Sequence, residues 1–109
     1  MTRVLVAMPQ ADNAVKNRPV VFLRGMRPFA DALVCGVSTQ MKQMVAGFDE
    51  FVSGEDEDFS STGFVEPSLI RLGLLAVIPQ SKIAGSIGAS SSTRHQRLLK
   101  KLSSYLIEQ

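Results

Sequence analysis

Short apolar runs rich in Val, Leu and Ile, each stopped by Pro, Gly or a polar cluster, fill the first 78 residues; only after Ser91 does the apolar spacing become helical. Runs of that length, bounded in that way, read as β-strands. The expected strands are residues 3–8, stopped by Pro9, and 19–23, where Pro19 suits a strand start. Residues 32–39 are apolar nearly throughout and are expected at the centre of the sheet. A further strand is expected at 48–52. Residues 68–72 and 74–78 read as one strand bent at Gly73 or as two. Between them, 10–17 is expected as a polar loop, 24–31 as a turn, 53–63 as an exposed acidic loop and 79–88 mostly as connector. In the last segment Leu98, Leu99, Leu102, Tyr105 and Leu106 share one helical face, with Arg94, Arg97, Lys100 and Lys101 opposite. Thr93 and Gln96 have the spacing of a capping box. Several short strands followed by one helix imply a mainly β fold: a compact barrel closed by a C-terminal helix. The 109 residues fit one small domain, 1–109, without repeat or linker.

Charge is unevenly spread. Between Gln43 and Ile70 lie seven acids and no Lys or Arg, while the rest of the chain carries all 12 basic residues and three acids, a balance of 12 − 3 = +9. Such a body attracts a polyanion; a solvated surface with one acidic loop accounts for the same numbers. No apolar run approaches the roughly 18 residues of a membrane span, and the apolar N-terminal stretch is short for a signal peptide. The single cysteine, Cys35, cannot form an internal disulfide and fits a reducing cytosol, so a cytoplasmic location with no membrane partner is expected.

One His and one Cys remove most catalytic schemes. A zinc site needs three or four His, Cys or carboxylate ligands, and no such cluster is spaced for it. A serine triad would have to recruit His95 at the start of a surface helix. Cys35 lies inside an apolar strand, which makes it a buried inert thiol rather than a nucleophile. The acids Glu55 to Asp58 lack the spaced ligands and turn glycine of a calcium loop. Arginine and hydroxyl chemistry remains. Arg18 precedes one strand, Ser38 and Thr39 end another, and Arg71 lies within a third. Such a set suits RNA cleavage, because the substrate's own 2′-hydroxyl is the nucleophile and the protein chiefly positions the phosphate and stabilises its growing charge. The planar fork of arginine matches phosphate oxygens.

The order of these motifs resembles the PemK/MazF toxins. The run Val4-Leu5-Val6-Ala7-Met8-Pro9, a polar loop, and then Asn17-Arg18-Pro19-Val20-Val21-Phe22-Leu23 is similar to the family's opening. Leu33-Val34-Cys35-Gly36-Val37-Ser38-Thr39-Gln40 resembles its third strand, which ends in two small residues before Gln. Thr62-Gly63 and Pro67-Ser68-Leu69-Ile70-Arg71-Leu72 are similar to its later strand, and the terminal helix falls where the family has one. The resemblance implies an SH3-like barrel of about five to seven strands with a C-terminal helix, assembled as a homodimer. It implies the toxin of a type II toxin-antitoxin system, an endoribonuclease (mRNA interferase) that cleaves single-stranded RNA at short sequences without metal or other cofactor. Its partner would be a cognate antitoxin with a disordered, often acidic tail. The catalytic Arg and hydroxyl of the family map onto Arg18 and Ser38, and an assisting Arg onto Arg71. Thr39, Gln40, Lys16 and Lys42 flank these positions and are the expected RNA contacts.

This sequence departs from the family at three places, one of them Ser38, a Ser where the family's key hydroxyl is Thr, which is chemically tolerable. Met1 and Thr2 stand where members often have Gly-Asp or Gly-Glu, and Gly73 stands where some carry an acid two residues after the later Arg. Gly73 leaves the general base unassigned, because arginine stays protonated. Two rival readings remain: a non-catalytic toxin that binds DNA gyrase, as relatives of this fold do, and a degenerate barrel kept as a binding module.

Overall fold

A computed structural model describes residues 3–7 and 18–108. The expected loop at 10–17, Lys16 within it, and Met8 at the end of the first strand lie outside the described residues. In chain order the elements are β1 (Arg3–Ala7), β2 (Pro19–Met26), β3 (Asp31–Ser38), β4 (Glu50–Val52), α1 (Phe59–Thr62), β5 (Ser68–Pro79), β6 (Ile83–Ala89) and α2 (Ser92–Ile107). Short 3₁₀ turns occupy Met41–Gln43 and Gln80–Lys82. The strands form one antiparallel sheet in the order β4-β5-β3-β2-β1-β6. It curls into a half-barrel capped by α2, a small β-barrel plus helix.

β3 is central, as its apolar sequence requires, paired on one side with β2 and on the other with β5. The two possibilities for 68–78 resolve into one strand with a sharp irregularity. Cys35 faces Leu75 while the next residue, Gly36, faces Arg71, so Leu72, Gly73 and Leu74 are looped out of register. Buried Asp49 stabilises that break: its carboxylate accepts the Leu72 N–H at 3.0 Å and the Val45 N–H at 2.9 Å, giving both donors a partner outside the ladder.

The core gathers Val4, Val21, Leu23, Cys35, Val52, Phe64, Ile70 and Leu72 from the sheet side, with Leu98 and Leu102 supplied by α2. Fully burying one such aliphatic side chain contributes about 1.5–3 kcal/mol.

Four sequence expectations are corrected. The turn expected at 24–31 is confined to 27–30, since β2 runs on through Gly25 and Met26. Of 48–52 only Glu50–Val52 is strand. The connector expected at 79–88 is largely β6, whose three glycine and serine residues hid its strand character. Gly88 is required there: a Cβ would run into the backbone of Ser61 and Thr62, where α1 crosses the sheet edge and Ser61 Oγ donates to the Ala89 carbonyl at 2.8 Å. Finally, the helix is capped not by Thr93 but by Ser91, whose Oγ accepts the Arg94 N–H at 3.1 Å.

The acidic segment is a further correction, because it is not a free loop. Arg94, expected on the solvent face of α2, is 6% exposed and lies in line with Leu98 and Leu102. Its guanidinium donates to Asp58 (2.9 and 3.1 Å), Glu50 (3.0 Å) and Asp56 (3.0 Å). Glu50 also accepts from Arg97 at 2.7 and 2.9 Å and pairs with Lys101 at 3.1 Å. Three of the basic residues behind the +9 balance are therefore neutralised within the fold. Burial pushes the Glu50 carboxyl up, but hydrogen bonds from Arg97 and Lys101 outweigh it and hold the group below its ordinary range. The Arg94 hydrogen bonds hold Asp58 low in the same way, against the opposing pull of burial.

Candidate functional site

The register of the sheet sets three of the expected functional residues in a row. Val20 faces Gly36 across β2 and β3, and continuing that pairing two residues brings Arg18 opposite Ser38. On the other side of β3, Ser38 faces Leu69 and Gly36 faces Arg71. Side chains alternate between faces with a period of two, so Arg18, Ser38 and Arg71 share one face of three adjacent strands. Arg71 is then the diagonal neighbour of Ser38, a separation of about 7–8 Å between Cα positions. The opposite face carries Val21, Cys35, Ile70 and Leu72 into the core.

All three line one cleft of about 620 Å³, together with Thr39, Gln40, Gln43, Glu66, Ser68 and the apolar residues Pro19, Val37, Phe64, Val65, Leu74 and Ile87. Of the expected RNA contacts, Thr39 and Gln40 belong to this cleft. Lys42 is exposed on the Met41–Gln43 turn and does not line it, and Lys16 lies outside the described residues.

The three residues differ in how they are held. Arg18 is exposed, and none of the ion pairs among the described residues involves it. Arg71 is half-buried, and its Nε is buried without a hydrogen-bond partner. An unsatisfied buried donor on a cation is costly. Ser38 is engaged in a turn: its hydroxyl donates to Gln43 Oε1 at 3.0 Å and accepts the Gln40 N–H at 2.9 Å. The hydroxyl therefore fixes the exit of β3 as well as facing the cleft.

The residues excluded on sequence grounds lie elsewhere. Cys35 is fully buried; burial and nearby Asp49 push its thiol up to about 12, so it stays protonated and inert. His95 lines a separate groove with Arg24, Arg27 and Phe29, and burial lowers it below the ordinary imidazole value. Asp56 and Asp58, within the acid run, spend their carboxylates on Arg94.

Four polar or apolar features of the cleft had no sequence signal strong enough to single them out: Gln43, Glu66, Leu74 and Ile87. Gln43 reaches the cleft through the turn after β3, Ile87 through the overlooked β6, and Leu74 through the looped-out part of β5. The Glu66-Pro67 pair was the one available hint, since a residue before proline is held extended at a strand entrance. A scan against protein-family models finds no match for this chain, and a search of curated proteins finds none either.

Proposed function

We propose that this protein is an endoribonuclease that cleaves single-stranded RNA without a metal, as the toxin of a toxin-antitoxin pair of the PemK/MazF kind. The observation that carries the reading is the convergence of Arg18, Ser38 and Arg71 from three neighbouring strands onto one cleft. Two guanidiniums on one wall suit a phosphodiester, whose charge grows as the 2′-oxygen attacks. The exposed apolar residues Val65 and Leu74 beside them offer surface for nucleobases, in keeping with a single-stranded substrate. A gyrase-binding toxin would make no use of this pair of arginines.

In this mechanism Arg18 contacts a non-bridging oxygen of the scissile phosphate. Arg71, on the same cleft, adds the second guanidinium of the clamp. Ser38 positions the strand end and exchanges its bond to Gln43 for one to the phosphate. The products are a 2′,3′-cyclic phosphate and a 5′-hydroxyl end. Incubating purified protein with single-stranded RNA in excess chelator tests the reading. Cleavage leaving cyclic phosphate ends is expected; intact RNA overturns it.

The reading includes two partners. Leu75 and Val77 on the distal half of β5 are 39% and 52% exposed, apolar residues of the kind a second copy covers. Light scattering should give twice the 11.8 kDa of one chain, and Val77→Lys should shift it to the monomer. A monomeric wild type across micromolar concentrations would contradict the dimer. An antitoxin tail would neutralise by lying along the cleft. Because Arg94, Arg97 and Lys101 are already paired internally, its salt sensitivity should come from Arg18 and Arg71 rather than from the helix. No described helix is long and apolar enough to cross a membrane.

A further inference from the structure

We infer that Glu66 is the general base of the RNA cleavage, an inference that rests on the ribonuclease reading above. Attack by a 2′-hydroxyl needs a group to take its proton, and neither arginine can serve because both remain charged. Gly73, two residues beyond Arg71, supplies no side chain and sits against the ring of Phe48. Among the described residues lining the cleft, the charged groups are Arg18, Arg71 and Glu66, so Glu66 is the one carboxylate there.

Four other acids, from the end of the 44–49 segment to the start of α1, are spent. Asp49 accepts two backbone N–H groups, and Glu50, Asp56 and Asp58 are bound to Arg94, Arg97 and Lys101. Glu66 is exposed, and none of the ion pairs among the described residues includes it.

Its mount is rigid. Pro67 restricts the backbone of residue 66 to extended conformations. Buried Ser68 donates its hydroxyl to the Glu66 carbonyl at 2.8 Å, tying the segment to the first residue of β5. Ser38 faces Leu69 near the start of β5, and Glu66, three residues before Leu69, lines the same cleft as Ser38. A carboxylate there and the guanidiniums of Arg18 and Arg71 on the strands divide the work as the reaction requires.

In the step, a Glu66 carboxylate oxygen takes the proton of the 2′-hydroxyl. The 2′-oxygen forms a bond to phosphorus as the bond from phosphorus to the 5′-oxygen breaks. The leaving 5′-oxygen takes a proton from water, and Glu66 returns its own to solvent. No oxidant, metal or second substrate is needed.

The test compares wild type, Glu66→Gln and Glu66→Asp in single-turnover cleavage of one RNA, with binding measured on the same RNA carrying a 2′-deoxy sugar at the cut. General-base loss typically costs about 100- to 10,000-fold. Glu66→Gln should therefore slow cleavage at least about 100-fold and remove the acid limb of the pH–rate profile. Glu66→Asp should keep that limb at reduced rate. Binding of the deoxy analogue should hold or tighten, since a negative charge leaves the cleft. A Glu66→Gln protein that melts normally and cleaves at the wild-type rate with an unchanged profile overturns the assignment alone. A rate loss matched by an equal loss of binding also overturns it, because Glu66 would then hold RNA rather than take a proton. A wild type that leaves RNA intact overturns the ribonuclease reading, and this inference with it.

Discussion

Arg94→Met is expected to destabilise the fold by about 3–5 kcal/mol, a large share of the 5–15 kcal/mol typical of a small domain. The guanidinium is almost fully buried and satisfies carboxylates on β4 and in the segment between β4 and α1. Removing it leaves Asp58 and Glu50 buried beside a methionine, with Glu50 keeping Arg97 and Lys101. Arg94→Lys should recover only part of the loss, because an ammonium cannot span three acids as a planar fork does. Urea denaturation of the three proteins measures the difference.

The same network fixes the sign of a pH effect. Glu50 and Asp58 titrate below their ordinary values in the folded protein. Groups with depressed folded values contribute stability that is fully present above the unfolded value, about pH 4, and lost as pH falls through the folded one. Wild type should therefore weaken on acidification below about pH 4. In Arg94→Met, Asp58 loses its cation and Glu50 one of three, so both accept protons more readily and the gap between the two proteins should narrow over that range. A gap that stays constant from neutral pH to pH 3 would mean that packing, not charge, accounts for the role of Arg94.

Arg18→Ala is expected to lower the RNA cleavage rate by about 100-fold or more while leaving the melting temperature unchanged. The two halves of that outcome have separate causes. Arg18 is exposed and outside every ion pair among the described residues, so its loss should cost the fold little. Just before β2 and on the same cleft as Ser38, it would, in the proposed mechanism, meet the phosphate in the transition state. Arg71→Ala should lower the rate as well, and Arg71→Lys should restore it only in part, because an ammonium lacks the planar fork of a guanidinium. Ser38→Ala should differ from both. It removes the bonds to Gln43 and Gln40 that set the β3 exit, so melting and rate should fall together.

Much of this arrangement was legible in the sequence, and the reasons are local. The central strand announced itself because Leu33, Val34, Cys35 and Val37 are apolar on both faces, as only a strand covered on both sides can be. Arg18, Ser38 and Arg71 could be singled out by their positions at strand ends and interiors, and the register then joins them. β6 was hidden because Gly85 and Gly88 carry no apolar signal; Gly88 is there to let α1 approach, a tertiary demand invisible from neighbouring residues. The role of Arg94 was hidden for the opposite reason. Helical periodicity sorts residues by polarity, and a buried arginine whose acids lie 36 to 44 residues away defeats that sorting. Along the chain Glu66 is one more acid after an acidic run, and only the folded sheet brings it to the cleft that Arg18 and Arg71 line.

On the proposed reading, the cleft of Arg18, Ser38 and Arg71 cuts RNA by itself. The most direct measurement is the cleavage of one single-stranded RNA in excess chelator by wild type and Arg18→Ala, with melting curves on the same preparations and mass analysis of the ends. The account predicts wild-type cleavage to 2′,3′-cyclic phosphate and 5′-hydroxyl ends, and a normally folded Arg18→Ala protein slower by about 100-fold or more. Intact RNA with wild type, or equal cleavage by a normally melting Arg18→Ala protein, would contradict it.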